Sequence, residues 1–353
     1  MSIRKLVTIR KILEIIPIKD ADFIELVRVD GWKSVVKKND FKVGDYGVYF
    51  EYDSFLPIEE RFEFLRKSCF RKMFVEGKGW IEGFRLRTIK LKNQISQGLT
   101  MPLINFPEIN INIDINLDLS EKLGVLKYEK PIPLEMSGDI MGEIPSIIRK
   151  TDQERIQNLI EYFEIYKNVE FEETEKEDGM SSTMYFYNNH FGVCGHNWEF
   201  KENPDQTMWK LAYKHNLKEV MRIMKAEVAI QGEIVGEGIQ KNPMVLKGHY
   251  FHIFDIYDIK KGRYMLPKER CDYINIANTI VLIPLIHVPI INSNIKIFNI
   301  CRTIEDILEY VKGDTKYCKG CKREGLVFKS TELINDNIVS FKVIDNNVAL
   351  NDD

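Results

Sequence analysis

Glu175-Lys176-Glu177-Asp178-Gly179 sets one lysine among three acids ahead of a glycine turn, after the alternating Val169 and Phe171. A lysine amine is a strong nucleophile only when deprotonated, and neighbouring carboxylates favour its charged form, so Glu175, Glu177 and Asp178 acting alone would silence Lys176. Taken by themselves these residues read as a solvated ion-pair cluster. A divalent cation held by carboxylates would invert the local field and also neutralise a triphosphate, which makes lysine attack on a nucleotide phosphorus feasible.

Further groups follow in an order that fits one site. Gln231-Gly232-Glu233-Ile234-Val235-Gly236 ends an apolar strand with a carboxylate, and Phe251-His252-Ile253-Phe254-Asp255-Ile256 alternates in a way that presents an aromatic platform. Arg323-Glu324-Gly325-Leu326-Val327-Phe328-Lys329 and Ser340-Phe341-Lys342-Val343-Ile344 come next. Each segment alone is ordinary strand sequence. Together they resemble the covalent nucleotidyltransferases, with KxDG at Lys176, a later glutamate at Glu233, an aromatic at Phe254, EGhVhK (h apolar) from Glu324, and a final lysine at Lys342.

The resemblance narrows with Gly83-Phe84-Arg85-Leu86-Arg87-Thr88-Ile89-Lys90, Gln94-Ile95-Ser96-Gln97-Gly98-Leu99, and Lys150-Thr151-Asp152 followed by Arg155-Ile156-Gln157-Asn158-Leu159. These resemble the ATP-dependent RNA ligases with an N-terminal OB domain, the branch typified by the Naegleria and Deinococcus RNA ligases. DNA ligases and RNA guanylyltransferases usually place an OB domain after the catalytic one, whereas few residues follow Lys342 here. The resemblance implies that Lys176 takes AMP from ATP and releases pyrophosphate. Asp178, Glu233 and Glu324 would hold the water shell of Mg²⁺ or Mn²⁺, Lys342 would contact the α-phosphate, Arg155 would bind phosphate, and Phe254 would stack on adenine. Glu175, Gly179 and Asn197 complete the implied nucleotide site. AMP would then pass to an RNA 5′-phosphate, and an RNA 3′-OH would displace it and seal the strand.

The implied partner is RNA with 3′-OH and 5′-phosphate ends, as a nicked duplex, handled by a monomer. Lys33, Arg85, Arg87, Lys90, Lys92 and His196 are its expected contacts. Three positions depart from the pattern: Met180 where relatives carry Ser or Thr, Gly195-His196 where they carry Ser-Arg, and Ser340 where a second basic residue is common. An ordinary imidazole is largely neutral above pH 7, so a phosphate contact at His196 would weaken with pH. These departures keep open a non-catalytic RNA-binding protein with the ligase fold, beside a DNA ligase or guanylyltransferase.

Such a site needs strands to carry it. A length of 353 residues suits about two domains. Residues 1–103 carry 20 Lys+Arg against 14 Asp+Glu, and the remainder 30 against 39, so the two parts have opposite charge. Short strands at Phe23 to Val29, Trp32 to Lys37 and Tyr46 to Tyr52, with an Asp30-Gly31 turn, predict an OB-type β-barrel over 1–103. Its basic face also includes Lys37 and Lys38, and a bulge is expected between Arg87 and Thr88. Residues 104–145, with Pro131, Pro133 and Gly138, predict a connector. A capping box at Thr151 to Glu154 predicts a helix carrying Arg155, Ile156, Leu159, Ile160 and Phe163. Residues 146–353 then predict a nucleotidyltransferase domain of antiparallel sheets with helices near 206–224, 267–278 and 303–312, making the chain α+β overall.

No apolar run approaches the roughly 20 residues that cross a bilayer. The start, Met1-Ser2-Ile3-Arg4-Lys5, has no signal-peptide core, so an intracellular, by default cytoplasmic, location is expected. Cys69, Cys194, Cys271 and Cys301 read as buried thiols. Cys318-Lys319-Gly320-Cys321 has half of a zinc-site spacing, and no second pair completes four ligands.

Overall fold

The computed structural model describes residues 4–75, 77–129, 138–150 and 152–350. The chain forms two compact units: Met1–Ile132 with Gln157–Ile160 and Asn346–Asp353, and Pro133–Ile156 with Glu161–Asp345.

In the first unit Val7–Lys11 and Leu99–Pro102 flank Tyr46–Phe50, and Glu14–Pro17, Ile24–Val29 and Trp32–Lys37 form a second antiparallel sheet. Alternation decides which side chains are buried: Trp32, Ser34 and Val36 are, while Lys33, Val35 and Lys37 are not. Asp30, at φ +48°, makes the turn expected there, and a Cβ on Gly31 would meet Gln157 Cα at 2.7 Å. A third sheet runs Leu126–Lys127, Ser54–Leu56, Gly79–Arg85, Phe70–Val75. Val48, Phe50, Leu56, Phe62, Phe84 and Phe106 bury against one another as the core. The bulge expected at Arg87 and Thr88 is instead a full break, because Ile89–Leu91 leaves that sheet and pairs with Gln94–Ser96 as a separate hairpin.

The stretch 104–145 is divided between the units. Leu119, Leu123 and Val125 join the first unit's core, and Ile140–Glu143 pairs with Trp198–Phe200 in the second. Pro131, Pro133 and Thr151 lie outside the described residues. The helix expected from Thr151 does not form as one piece. Lys342 N–H donates to Glu154 O at 2.9 Å and Arg155 bridges Lys342 in parallel, so 154–155 is extended. Only a short turn at Ile156–Asn158 and a helix at Tyr162–Ile165 follow. Asn158 is occupied within the first unit, where its Oδ1 accepts from Trp32 Nε1 at 2.5 Å and its Nδ2 donates to Glu51 at 2.7 Å.

The second unit has two large antiparallel-rich sheets and a small hairpin of Asp314–Thr315 with Cys318–Lys322. One runs Ile140–Glu143, Trp198–Phe200, His190–Cys194, Met180–Tyr187, Val228–Gly236, His249–Asp258, Arg263–Tyr264, and the other Ile290–Ile295, Phe171–Lys176, Gly325–Ser330, Ser340–Ile344. Helices Thr207–Lys214 and Leu217–Ile223 cover the first through Met208, Leu211, Leu217 and Val220. They are separate helices because Asn216 takes a left-handed conformation, φ +48°. Pro267–Asn278 matches its expected span, and Ile304–Tyr310 is capped by Thr303 with Asp306 as its spacing predicts. Cys69, Cys194 and Cys301 are buried thiols and Cys271 is half-buried, while Cys318 and Cys321 are joined as a disulfide.

Candidate active site

Strand pairing gathers the residues around Lys176. It ends Phe171–Lys176 opposite Gly325, which sets Glu324 beside it: Lys176 Nζ lies 2.6 Å from Glu324 Oε2. Only glycine fits at 325, since a Cβ there would collide with Val343 O. After the 177–179 turn the chain enters Met180–Tyr187, paired with Val228–Gly236 in the register Ser181 to Glu233. Gly179 N–H therefore donates to Glu233 Oε1 at 3.1 Å, and a Cβ on Gly179 would strike Ile234 O.

The electrostatics follow from this crowding. Burial alone would lower the Lys176 pKa, but Glu324, Glu233 and Asp178 outweigh it and hold the ammonium above its ordinary value. Burial, against the pull of Lys176 and with the repulsion of Glu324, Glu177 and Asp178, pushes Glu233 up to about 8. Glu175 is also raised, chiefly by burial, and accepts the Lys316 N–H at 3.0 Å. Among the described residues no three His, Cys, Asp or Glu side chains converge tightly enough to grip an ion directly. The crowding of acids that presses Glu233 toward its neutral form is itself surplus negative charge, which fits a divalent cation bound through its water shell.

Phe254 is placed by a bulge. Gln231 pairs with Asp255 and Gly232 with Ile253, so Phe254 is the extra residue on its strand and its ring is re-aimed. Behind it Lys329 Nζ donates to Phe254 O at 2.7 Å and pairs with Asp255 at 2.8 Å, while Arg270 reaches Asp255 at 3.7 Å and contacts Glu172. Lys342 Nζ pairs with Asp152 at 2.8 Å next to the buried Arg155, which lies on an extended segment and not on the expected helix. Asn197 Oδ1 accepts from Lys150 Nζ at 2.7 Å, and His196 is exposed in the turn before it.

In the first unit, Lys90 and Lys92 are exposed on the hairpin of Ile89–Leu91 and Gln94–Ser96, and Lys33 and Arg87 are half-buried. Arg85 is a correction. It is 6% exposed, paired with Asp53 at 2.9 Å and set over the Tyr128 ring at 4.5 Å, so its charge serves the interior rather than a basic face.

Sequence reasoning missed a trio built on Glu177, the residue after Lys176, in which Glu177 and His252 are buried and Tyr317 is half-buried. His252 Nδ1 and Tyr317 O–H each lie 2.9 Å from Glu177, and the His252 and Tyr317 rings stack at 5.3 Å. The same reasoning placed Asp152, Asp255 and Lys329 within motifs but missed the pairing of Asp152 with Lys342 and the buried cluster that Asp255 and Lys329 form with Arg270 and Glu172. The run Glu172-Glu173-Thr174-Glu175 was a usable signal: acids on both faces of one strand require buried partners.

An OB-fold domain model matches residues 6–103, and the RNA ligase family model matches residues 169–344. No curated protein sequence matches the chain. Among solved structures it is similar to an apo aspartate-to-alanine mutant of the Naegleria gruberi RNA ligase, with 42% identity over 100% of this chain and 99% of that one and a TM-score of 0.88. A glutamate-to-alanine mutant of that ligase with AMP and Mn gives 43% identity over 98% of each chain at a TM-score of 0.87. An arginine-to-alanine mutant with ATP and Mn gives 42% over 99% of each at 0.86. The chain belongs to the RNA ligase family, with an OB-fold domain ahead of its ligase domain.

Proposed function

We propose that this RNA ligase runs on ATP through Lys176, and the observation that carries the reading is the 2.6 Å contact of Lys176 Nζ with Glu324 at the centre of three carboxylates. The neutral amine attacks the α-phosphorus, the N–P bond forms, and the bond to the pyrophosphate oxygen breaks. Glu324 orients Nζ and is placed to take its proton. Asp178, Glu233 and Glu324 are the residues that would hold Mg²⁺ or Mn²⁺, and the ion would supply positive charge that offsets the acids and the triphosphate. Lys342 and Arg155 carry positive charge toward the phosphates, Phe254 stacks on adenine, and Glu175, Gly179 and Asn197 line the nucleotide.

The RNA 5′-phosphate then attacks the lysine-bound phosphorus and the N–P bond breaks, giving a 5′-to-5′ anhydride. The RNA 3′-OH attacks the RNA phosphorus, expelling AMP and leaving a phosphodiester. The substrate in this reading is a nicked RNA duplex, held by a monomer through Lys33, Arg87, Lys90, Lys92 and His196, inside the cell where ATP is plentiful. With Mg²⁺ and ATP labelled at the α-phosphorus, label should follow the protein on a denaturing gel and disappear in Lys176→Ala. Label that persists in that variant refutes the assignment. Sealing that needs no ribonucleotide at the 3′-OH end, or a dimer as the active species, refutes the substrate and monomer parts.

A further inference from the structure

The hairpin of Phe70–Val75 and Gly79–Arg85 in the first unit changes character along its length. Its register pairs Phe70 with Phe84, Lys72 with Glu82, and Phe74 with Trp80, all on one face. At the base Phe84 is buried and Phe70 packs against the core. In the middle Lys72 and Glu82 form an exposed ion pair at 2.9 Å. At the far end Phe74 and Trp80 are 54% and 61% exposed, touching edge to face with centroids 5.9 Å apart.

Folding alone gains little from two large aromatic rings so exposed. Their neighbourhood is net basic: residues 66–82 contain Arg66, Lys67, Arg71, Lys72 and Lys78 against Glu76 and Glu82, with Lys72 paired to Glu82 and Arg66 to Glu63. Aromatic rings among cations match the chemistry of a nucleic-acid strand, where bases stack and phosphates pair with lysines, and an edge-to-face pair leaves ring faces open for stacking. An apolar protein partner would not call for the positive charge.

We propose that Phe74 and Trp80 form a stacking platform for an unpaired RNA base, with Lys72 and Lys78 holding the adjoining phosphates. The proposal rests on the RNA-ligase reading and adds a base contact to a surface otherwise argued from charge. It predicts discrimination that phosphate contacts cannot supply. RNA carrying bases should bind more tightly than an abasic strand with the same number of phosphates.

The test measures Kd for a 5′-phosphorylated single-stranded RNA and for its abasic counterpart, with wild type, Trp80→Ala and Trp80→Phe. Trp80→Ala should raise Kd for the base-containing strand about tenfold, within the range for base-stacking aromatics, and leave the abasic Kd within about twofold. Trp80→Phe should recover most of the loss. Trp80 is the exposed tryptophan of the described residues, so RNA should also quench a fluorescence component absent from Trp80→Phe. Lys176 labelling from ATP checks that each variant is folded. Equal binding by Trp80→Ala and wild type overturns the platform, and so does an equal loss on both strands. A shift of Trp80→Ala in sedimentation relative to wild type would mark a protein-contact surface and also overturns it. Failure of wild type to bind the base-containing strand also overturns the platform, whereas failure of wild type to label Lys176 counts instead against the RNA-ligase reading beneath it.

Discussion

Lys329→Met tests the support beneath Phe254. Lys329, Arg270, Asp255 and Glu172 are at most 3% exposed, and the two cations and two carboxylates balance. Lys329 holds Asp255 at 2.8 Å, while Arg270 is 3.7 Å from the same oxygen. Burial lowers the Lys329 pKa, with Asp255 working against it, so this charge is maintained by its partner. Replacing the lysine with an apolar chain of similar length keeps the volume but strands one carboxylate in the interior. Breaking such a pair costs about 3–5 kcal/mol, roughly two to four decades in the folding equilibrium. Urea titration followed by tryptophan fluorescence should show that loss in the transition of the ligase unit, where Trp209 is buried. Asp255→Asn in the same chain should return at least half of it, because the stranded charge is then gone. Phe254 O also loses its donor, so the KM for ATP should rise in the rescued double variant while that variant remains folded. A loss below about 1 kcal/mol, or no rescue by Asp255→Asn, would refute the account of a charge-balanced cluster.

Three further outcomes follow from other sites. Burial, with Arg270 next, pushes the His287 pKa down to about 3, and its Nε2 accepts from Arg270 Nε at 2.7 Å. The unfolded imidazole binds its proton near pH 6.5, so stability should fall as pH drops from about 6.5 toward 3, by up to about 1.4 kcal/mol per unit; urea titrations across that window should show a shallower slope in His287→Gln, and an identical slope contradicts the assignment. Gly179→Ala should cut Lys176 labelling at least about tenfold, or about 1.4 kcal/mol of barrier, because its Cβ would collide with Ile234 O and approach Glu233 Cγ at 2.9 Å. Arg85→Ala should cost the first unit about 3 kcal/mol and leave the salt dependence of RNA binding unchanged, whereas Lys90→Ala should reduce that salt slope by about 1; the reverse pattern would restore Arg85 to the RNA surface.

Strand sequences told most where alternation is strong. Trp32–Lys37 was recoverable as a strand because Trp32 and Val36 mark its buried face, Lys33 and Lys37 its other face, and the turn before it needs Asp30 and Gly31, whereas the burial of Ser34 between the two apolar residues was not legible. The closeness of Lys176 and Glu324, 148 positions apart, was legible only through motif order, since no local pattern reports that two distant strands pair. Arg85 misled because a basic residue on a strand looks the same from sequence whether solvent or Asp53 receives it. The helix at Thr151 failed for a related reason. A capping box is a local preference worth about 1 kcal/mol, which the pairing of 154–155 with Lys342 readily overrides. The trio of Glu177, His252 and Tyr317 joins three segments, and only the folded chain brings them together.

The pairing of Phe171–Lys176 with Gly325–Ser330 also has a consequence in time. A ribosome adds about 5–20 residues per second, so the lysine emerges roughly 7–30 seconds before its glutamate partner, which lies 148 residues later. During that interval the nascent strand has no Gly325–Ser330 neighbour, and Lys176 has no Glu324 beside it. Synthesis therefore separates the making of the nucleophile from its arming: a truncated product that stops before the last strands carries the lysine without the means to charge it.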